Sequence, residues 1–405
     1  MRRLFFTMLV GLAFSAPASA QVYATPLPPG PGTVPLVFPG GPLVAPVLMP
    51  LCAPTAAPVG IYNYAGPQPV PMRAAANPGG RFYVGAEFLY AAVQGDHLPP
   101  LVTVSPAGTP LGHAGALYSP TTTTIFGDGR ADNSLRPGAR HTAGYWLDCE
   151  RINAIELGGF FLGGISDKAI GSSGPGGIIL ARPLVNGTTG TNFGLPVGGF
   201  VPGGLTASSD SSIGGFDVNY RRASILEYGA RLDFLGGFRY LHLGDAVDVW
   251  QTTGGALTND HFSTRNNFYG AQIGSVLTGQ LGGGFGLEAF TKVAVGVTAA
   301  TTETDASTAA NGQAVPSGAL VQASNRVNTT TNFFAVVPEV GAKLNYTFRN
   351  RFTIDAGYTF LYWSKVRRAP SQIDLTTSVP GRPAITNDTT DLWLQGWTLG
   401  ARLQF

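Results

Sequence analysis

Residues 392–405, Leu-Trp-Leu-Gln-Gly-Trp-Thr-Leu-Gly-Ala-Arg-Leu-Gln-Phe, restrict the fold more than any other stretch of this chain. Every second residue from Trp393 gives Trp393, Gln395, Trp397, Leu399, Ala401, Leu403 and Phe405; between them lie Leu394, Gly396, Thr398, Gly400, Arg402 and Gln404. One face is apolar and aromatic, the other small or polar. A period of two belongs to a strand, whose successive side chains leave a pleated backbone on opposite sides.

The same texture recurs at about residues 82–90, 140–149, 152–162, 213–220, 228–243, 268–280, 285–298, 333–348 and 352–363, which predicts ten strands. The connections alternate, long then tight. The tight ones fall near 150–151, 221–223, 281–284 and 349–351, and the long ones are rich in Thr, Gly, Ser, Pro and Asn. An even strand number with short turns at one end and long loops at the other is the pattern of outer-membrane barrels, and a soluble sandwich has no reason to segregate its connections so. Weak segments in the two longest loops leave the count open by about two.

The faces decide which way such a barrel is turned. The ninth strand sets Phe352, Ile354, Ala356, Tyr358, Phe360 and Tyr362 against Thr353, Asp355, Gly357, Thr359 and Leu361. The eighth sets Phe334, Val336, Val340, Leu344 and Tyr346 against Glu339, Gly341, Lys343 and Asn345. The charges must face inward, because an Arg or Lys turned to lipid at mid-bilayer costs roughly 2–4 kcal/mol. The expected fold is all-β: a transmembrane antiparallel up-and-down barrel with periplasmic turns and extracellular loops. Its aromatic girdles are Tyr228, Phe285, Phe348, Phe352 and Phe405 at the periplasmic end, and Tyr90, Tyr240, Phe334, Tyr362 and Trp393 at the outer end. Pro338, which has no N–H to give a ladder, predicts a bulge.

Ahead of the strands, Arg2, Arg3, the apolar residues 4–14 and Ala18-Ser-Ala20 read as an export signal cleaved before Gln21. Residues 21–79 hold 15 of the 31 prolines and a single charge, Arg73. Proline lacks a donor and fixes φ, so this stretch is expected to be a disordered periplasmic leader. The division is then signal 1–20, leader 21–79 and barrel 80–405. Charged residues make up 12% and the net charge is +2, which gives no footprint for nucleic acid. No apolar run of about 18 residues follows the signal, which argues against membrane helices. Cys52 and Cys149 sit in unlike contexts, so neither a disulfide framework nor a metal site is expected.

With its strands laid out, the chain resembles the planctomycete-type outer-membrane β-barrel family, formerly a domain of unknown function. The likeness is carried by Gly144-Tyr-Trp-Leu-Asp148, Ile155-Glu-Leu-Gly-Gly-Phe-Phe161, Leu235-Gly-Gly-Phe-Arg-Tyr-Leu241, Thr264-Arg-Asn-Asn-Phe-Tyr-Gly270, Phe334-Ala-Val-Val-Pro-Glu-Val-Gly341, Tyr358-Thr-Phe-Leu-Tyr-Trp-Ser364 and Gln372-Ile-Asp374. It implies a barrel in the outer membrane and brings no activity with it. The last strand likewise resembles the C-terminal signal read by barrel-assembly machinery, with Phe405 at its end.

The charges expected in the lumen are Glu87, Asp148, Glu156, Arg231, Asp233, Arg239, Glu288, Lys292, Glu339, Lys343, Asp355 and Arg402. Ten strands enclose a bore little wider than that of eight-stranded barrels, which side chains fill. The expected role is structural or surface-exposed, with the lumen plugged by paired charges; the alternatives are a narrow solute channel and, more remotely, a hydrolase at the extracellular mouth. For the last, His97 and His113 share the first long loop with Asp96, Asp128 and Asp132. These and His141, His242 and His261 lack metal spacing, and no Gly-x-Ser-x-Gly elbow exists, so no catalytic residue, metal or cofactor is assigned. Asp355 and Arg402, at matching heights on neighbouring strands, predict an ion pair. The partners expected are outer-membrane lipid, the assembly machinery, and a surface-layer or cell-wall component, but no nucleic acid.

Overall fold

A computed structural model describes residues 80–131, 134–225, 230–349 and 351–405; the expected signal, the leader and Tyr228 lie outside the described residues. Ten strands close into an antiparallel barrel: β1 (Phe82–Val93), β2 (Leu135–Trp146), β3 (Asn153–Leu162), β4 (Gly203–Ile225), β5 (Arg231–Thr253), β6 (Ala256–Gly282), β7 (Phe285–Ala310), β8 (Asn328–Phe348), β9 (Phe352–Val366) and β10 (Thr390–Gln404). Each pairs with the next, and β10 returns to β1 in a ladder from Tyr83↔Gln404 to Val93↔Leu394. Closure leaves no row of unpaired N–H and C=O groups, which a wall in hydrocarbon requires. Phe88, Leu157, Phe216, Phe234, Phe334, Leu344, Trp397 and Leu399 are exposed on the outside, while Glu87, Asp233, Arg239, Glu339 and Lys343 are buried within. On β4–β6 the row Phe216, Tyr240, Tyr269, with successive ring centroids 5.3 Å apart, takes the place expected of an outer girdle.

The strands on one side are longer than the sequence pattern indicates. β4 to β7 run 23, 23, 27 and 26 residues, against the roughly 9–11 that cross a bilayer. Beyond the aromatic row they rise as a wall, with Val247, Val249, Phe262, Thr304 and Ala306 buried on its inner face. The loop expected between the fifth and sixth strands is therefore a continuous hairpin from β5 to β6, turned by Gly254 and Gly255 at φ 56° and 90°. Both angles are left-handed, as a two-residue hairpin turn that follows the strand twist requires.

Two other boundaries move. The turn expected at 221–223 is still strand, since β4 runs to Ile225, and the second strand ends at Trp146 rather than at Cys149. Pro338 makes no bulge: β7 and β8 stay in register through Val293↔Pro338. Instead the ladder from β8 to β9 stops at Glu339↔Leu361, and the Val336 N–H donates to Ser364 Oγ at 2.9 Å. Cys149 lies in the turn after β2, where Arg81 donates to its Sγ at 3.0 Å, and Cys52 lies outside the described residues.

The two longest loops leave the closed barrel at ten strands, while Ile165–Ser173, in the second of them, extends the wall by pairing with β4 from Gly203↔Ser173 to Ser211↔Ile165. They join the loop after β9 in a second sheet made of Val102–Ser105, Thr123–Phe126, Ile179–Asn186, Asn192–Pro196 and Thr376–Thr377. Leu101, Val102, Phe126, Leu184 and Val197 from these loops pack with Val247, Val249, Phe262 and Ala306 of the wall into one apolar core. The loops thus form a cap that fills the concave side of the wall.

Candidate functional site in the lumen and its cap

Inward alternation brings together acids and bases of neighbouring strands and of strands across the bore. Glu339 accepts from Arg140 at 2.8 Å and from Arg239. Asp217 lies 3.3 Å from both Arg239 and Lys292. Arg221 joins Glu156 at 2.7 Å to Asp233 at 2.5 Å, and Arg231 meets Asp233 at 2.7 Å. Lys343 pairs with Glu87, and Tyr83 Oη donates to Glu156 at 2.6 Å. The space left among them is a cavity of about 70 Å³, room for a few waters.

Two expectations about these charges need correction. Asp148 is not in the lumen. With β2 ending at Trp146 it falls in the periplasmic turn, where it accepts from the N–H groups of Ile152 at 2.6 Å and Asn153 at 2.7 Å. Slight burial opposes them, but these donors hold its carboxyl below the usual range. Nor do Asp355 and Arg402 pair. Asp355 stands opposite Gly400 and Arg402 opposite Thr353, and the guanidinium reaches across to Glu288 at 3.4 Å instead. Asp355 is buried with Oδ1 unbonded. Gly400 makes room for it, since a Cβ there would lie 2.5 Å from Glu87 Cγ and 3.2 Å from Asp355 Oδ1.

Arg140, Asp217 and Arg221 also belong to the network, beyond the charges expected there. The expected strand boundaries put Arg221 in a turn and Arg140 at a strand's first residue. Asp217 was legible, since it alternates with outward Phe216 and Val218. With these three added and Asp148 removed, the acids are Glu87, Glu156, Asp217, Asp233, Glu288, Glu339 and Asp355. The bases are Arg140, Arg221, Arg231, Arg239, Lys292, Lys343 and Arg402, so the two sets balance.

Above the charges the lumen turns apolar, which alternation alone does not predict. Leu89, Leu241, Leu243, Phe268, Val337, Leu361, Trp363 and Leu394 form one cluster, none more than 1% exposed. Trp363 stands edge-on to Phe268 with centroids 6.0 Å apart and donates from Nε1 to Thr298 Oγ1 at 2.9 Å, so its one polar atom is satisfied.

Higher still, buried arginines tie the cap to the wall. Asp260 of β6 accepts from Arg182 of the second loop and from the N–H groups of Ala319 at 3.2 Å, Leu320 at 3.0 Å and Val321 at 2.7 Å. Arg368, just past β9, pairs with Asp245 of β5 and donates to the Gln94 carbonyl at 2.9 Å. Arg367 N–H and carbonyl exchange bonds of 2.7 Å with the Asn266 side chain. In the loop that follows, Asp374 accepts from Arg382 at 2.6 Å and from the Ala384 and Thr376 N–H groups at 2.9 Å.

The residues considered for a hydrolase are not assembled. His97 and His113 are exposed, and among the described residues neither bonds to a carboxylate. Asp96 accepts from Ser371 Oγ at 2.5 Å, Asp128 is exposed, and Asp132 lies outside the described residues.

With the barrel, its inverted faces and its filled bore described, comparison with known proteins fixes the family. The family described as Putative beta barrel porin-7 (BBP7) matches residues 83–405. The chain belongs to this family. It is an outer-membrane β-barrel, as the sequence resemblance implied. No curated protein matches it. Among solved structures it is similar to the outer membrane protease OmpT from Escherichia coli, at 10% identity, covering 80% of this chain and 97% of that one, with a TM-score of 0.42. It is similar also to a Pseudomonas aeruginosa FadL homologue, at 9% identity over 80% and 90% of the chains, TM-score 0.23. The Pseudomonas putida toluene transporter TodX matches at 9% identity over 80% and 90%, TM-score 0.19. At these scores neither the protease nor the transporters lend this BBP7 chain an activity.

Proposed function

We propose that this protein is a sealed outer-membrane barrel with a structural or surface-presenting role, its plugged membrane segment holding the wall and cap outside the cell. The apolar layer carries this reading: Leu89, Leu241, Phe268, Leu361, Trp363 and Leu394, from strands around the bore, meet in its interior at 1% exposure or less. Ions need a continuous wet path, and a dewetted constriction stops them. Paired charges below and the cap above add two further obstructions. Purified protein reconstituted in planar bilayers tests this. The expected result is no steady conductance, and a steady open level would favour a narrow solute channel instead.

Residues 1–20 direct export, and Phe405 ends the strand that the assembly machinery takes up. Phe405 supports this from its place at the seam, where it exchanges backbone bonds of 3.2 and 2.9 Å with Phe82. Deleting it is expected to lower the fraction of heat-modifiable, folded barrel in the outer membrane. The role is not catalytic. Turnover of peptide or lipid substrates that disappears in His97→Ala would overturn this part.

A further inference from the structure

One outward position breaks the rule that the membrane wall carries no ions. Along β4, Phe216, Val218 and Tyr220 face lipid, and Arg222 follows on the same side, opposite Asn153 of β3 and Phe234 of β5. Arg221 turns inward to Glu156 and Asp233. Arg222 is exposed, and among the described residues no carboxylate pairs with it. Of the arginines and lysines on the ten strands, it is the one on the outward face at a periplasmic strand end.

Beside it lies a hollow of about 510 Å³, lined by Arg151, Ile152, Arg222, Ser224, Arg231 and Phe234, with Glu150 as the one acid among the described residues of its lining. Arg231 is engaged by Asp233 at 2.7 Å and by the Arg151 carbonyl at 3.2 Å. Arg151 donates to the Gly80 carbonyl at 3.2 Å. Burial and the charge of Arg231 both push its guanidinium pKa down, as expected where cations crowd. Ile152 and Phe234, 40% and 54% exposed, form the hydrocarbon side of the hollow. Cations and apolar surface side by side, at the end of the wall where tight turns meet the headgroups, make an amphipathic site.

We infer that this hollow binds the phosphate of an anionic phospholipid in the periplasmic leaflet, held by Arg222 with Arg151 adding positive charge beside it, and with the acyl chains laid along Phe234 and Ile152. A guanidinium takes two phosphate oxygens in its planar fork. A zwitterionic lipid brings an ammonium group that the same cations repel, so selectivity is for net negative charge. The site stands whether the barrel is sealed or conducting.

Native mass spectrometry of the detergent-extracted barrel, titrated with phosphatidylglycerol or phosphatidylethanolamine, tests this. Wild type is expected to retain phosphatidylglycerol with a preference of about tenfold, falling toward parity in Arg222→Gln, since the exposed Arg222 side chain pairs with no carboxylate among the described residues. A third arm adds millimolar inorganic phosphate, which is expected not to displace the lipid. Equal retention of both lipids by wild type, or an unchanged preference in Arg222→Gln, would overturn the assignment. Displacement by inorganic phosphate would also overturn it, reducing the hollow to a free-anion site.

Discussion

Below the aromatic row of β4–β6 the cylinder of strands is closed and fills itself; above the row it is a one-sided wall that other parts of the chain must fill. In the lower region every charged partner comes from a barrel strand, as Lys343 of β8 meets Glu87 of β1 and Arg239 of β5 meets Glu339. In the upper region the wall supplies carboxylates, Asp245 and Asp260, and the loops supply the arginines, Arg368 and Arg182. The difference follows from the surroundings. Lipid forbids an open edge and so imposes closure, and a closed ten-stranded bore is narrow enough for its own side chains. Water outside the wall imposes no closure, so the inner face of β4–β7 stays apolar only because loops cover it.

The largest expected effect separates the two regions. Glu339→Gln leaves Arg140 and Arg239 without their shared carboxylate and should cost about 3–5 kcal/mol, read as a lower urea midpoint for the folded barrel in vesicles. Asp260→Ala comes next. It frees three loop N–H groups and Arg182 together, so protease cleavage within the cap should rise by roughly 100-fold with little change in that midpoint. If it lowers the midpoint as much as Glu339→Gln does, cap and barrel form a single cooperative unit and the contrast fails.

Smaller effects probe the cap by pH. Burial raises the Asp374 carboxyl, but the bonds from Arg382, Thr376 and Ala384 outweigh it and leave the pKa below 3.8. Its contribution, about 1.5–3 kcal/mol for bonds to a charged acceptor, is present above that ordinary value and lost as pH falls through the depressed one. Cap proteolysis should therefore accelerate in acid below about pH 4, and Asp374→Asn should show the faster cleavage already at neutral pH. The smallest effect is on the outer face of the wall, where His261 Nδ1 lies 2.8 Å from Asp248. That hydrogen bond raises the His261 pKa above 6.5. The gain, under about 1 kcal/mol at a partly exposed pair, is present at pH 6 and below and fades as pH rises through the raised value. Titration of His261 by NMR in wild type and Asp248→Asn checks it, and an unchanged pKa in the variant would assign the shift elsewhere.

The lumen was more legible than the cap. Eleven of the charges read from alternation do face the interior, because in a half-buried strand parity alone decides the side. Parity failed only where a strand end was misplaced: Asp148 passed into a turn, and Arg221 passed out of one. The cap went unread because residues 299–310 alternate among Ala, Thr, Ser, Glu and Asp with little contrast in polarity, and in 244–267 the inward Val247, Val249 and Phe262 are set among Gly, Thr, Ser, Asn and Asp. Arg182, Arg367 and Arg368 gave no signal either, since a loop arginine is ordinarily solvated and nothing local announces its burial.

The sequence by itself determined the number of strands, the inversion of their faces and the end at which the tight turns lie, since lipid acts on every residue of the wall by the same rule of two. Tertiary structure alone decided which charges meet across the bore, where the apolar layer seals it, and how the loops lock onto the wall. A guanidinium such as that of Arg239 reaches a carboxylate 100 residues away, and such partners are set by the closure and stagger of the whole cylinder rather than by any stretch of chain.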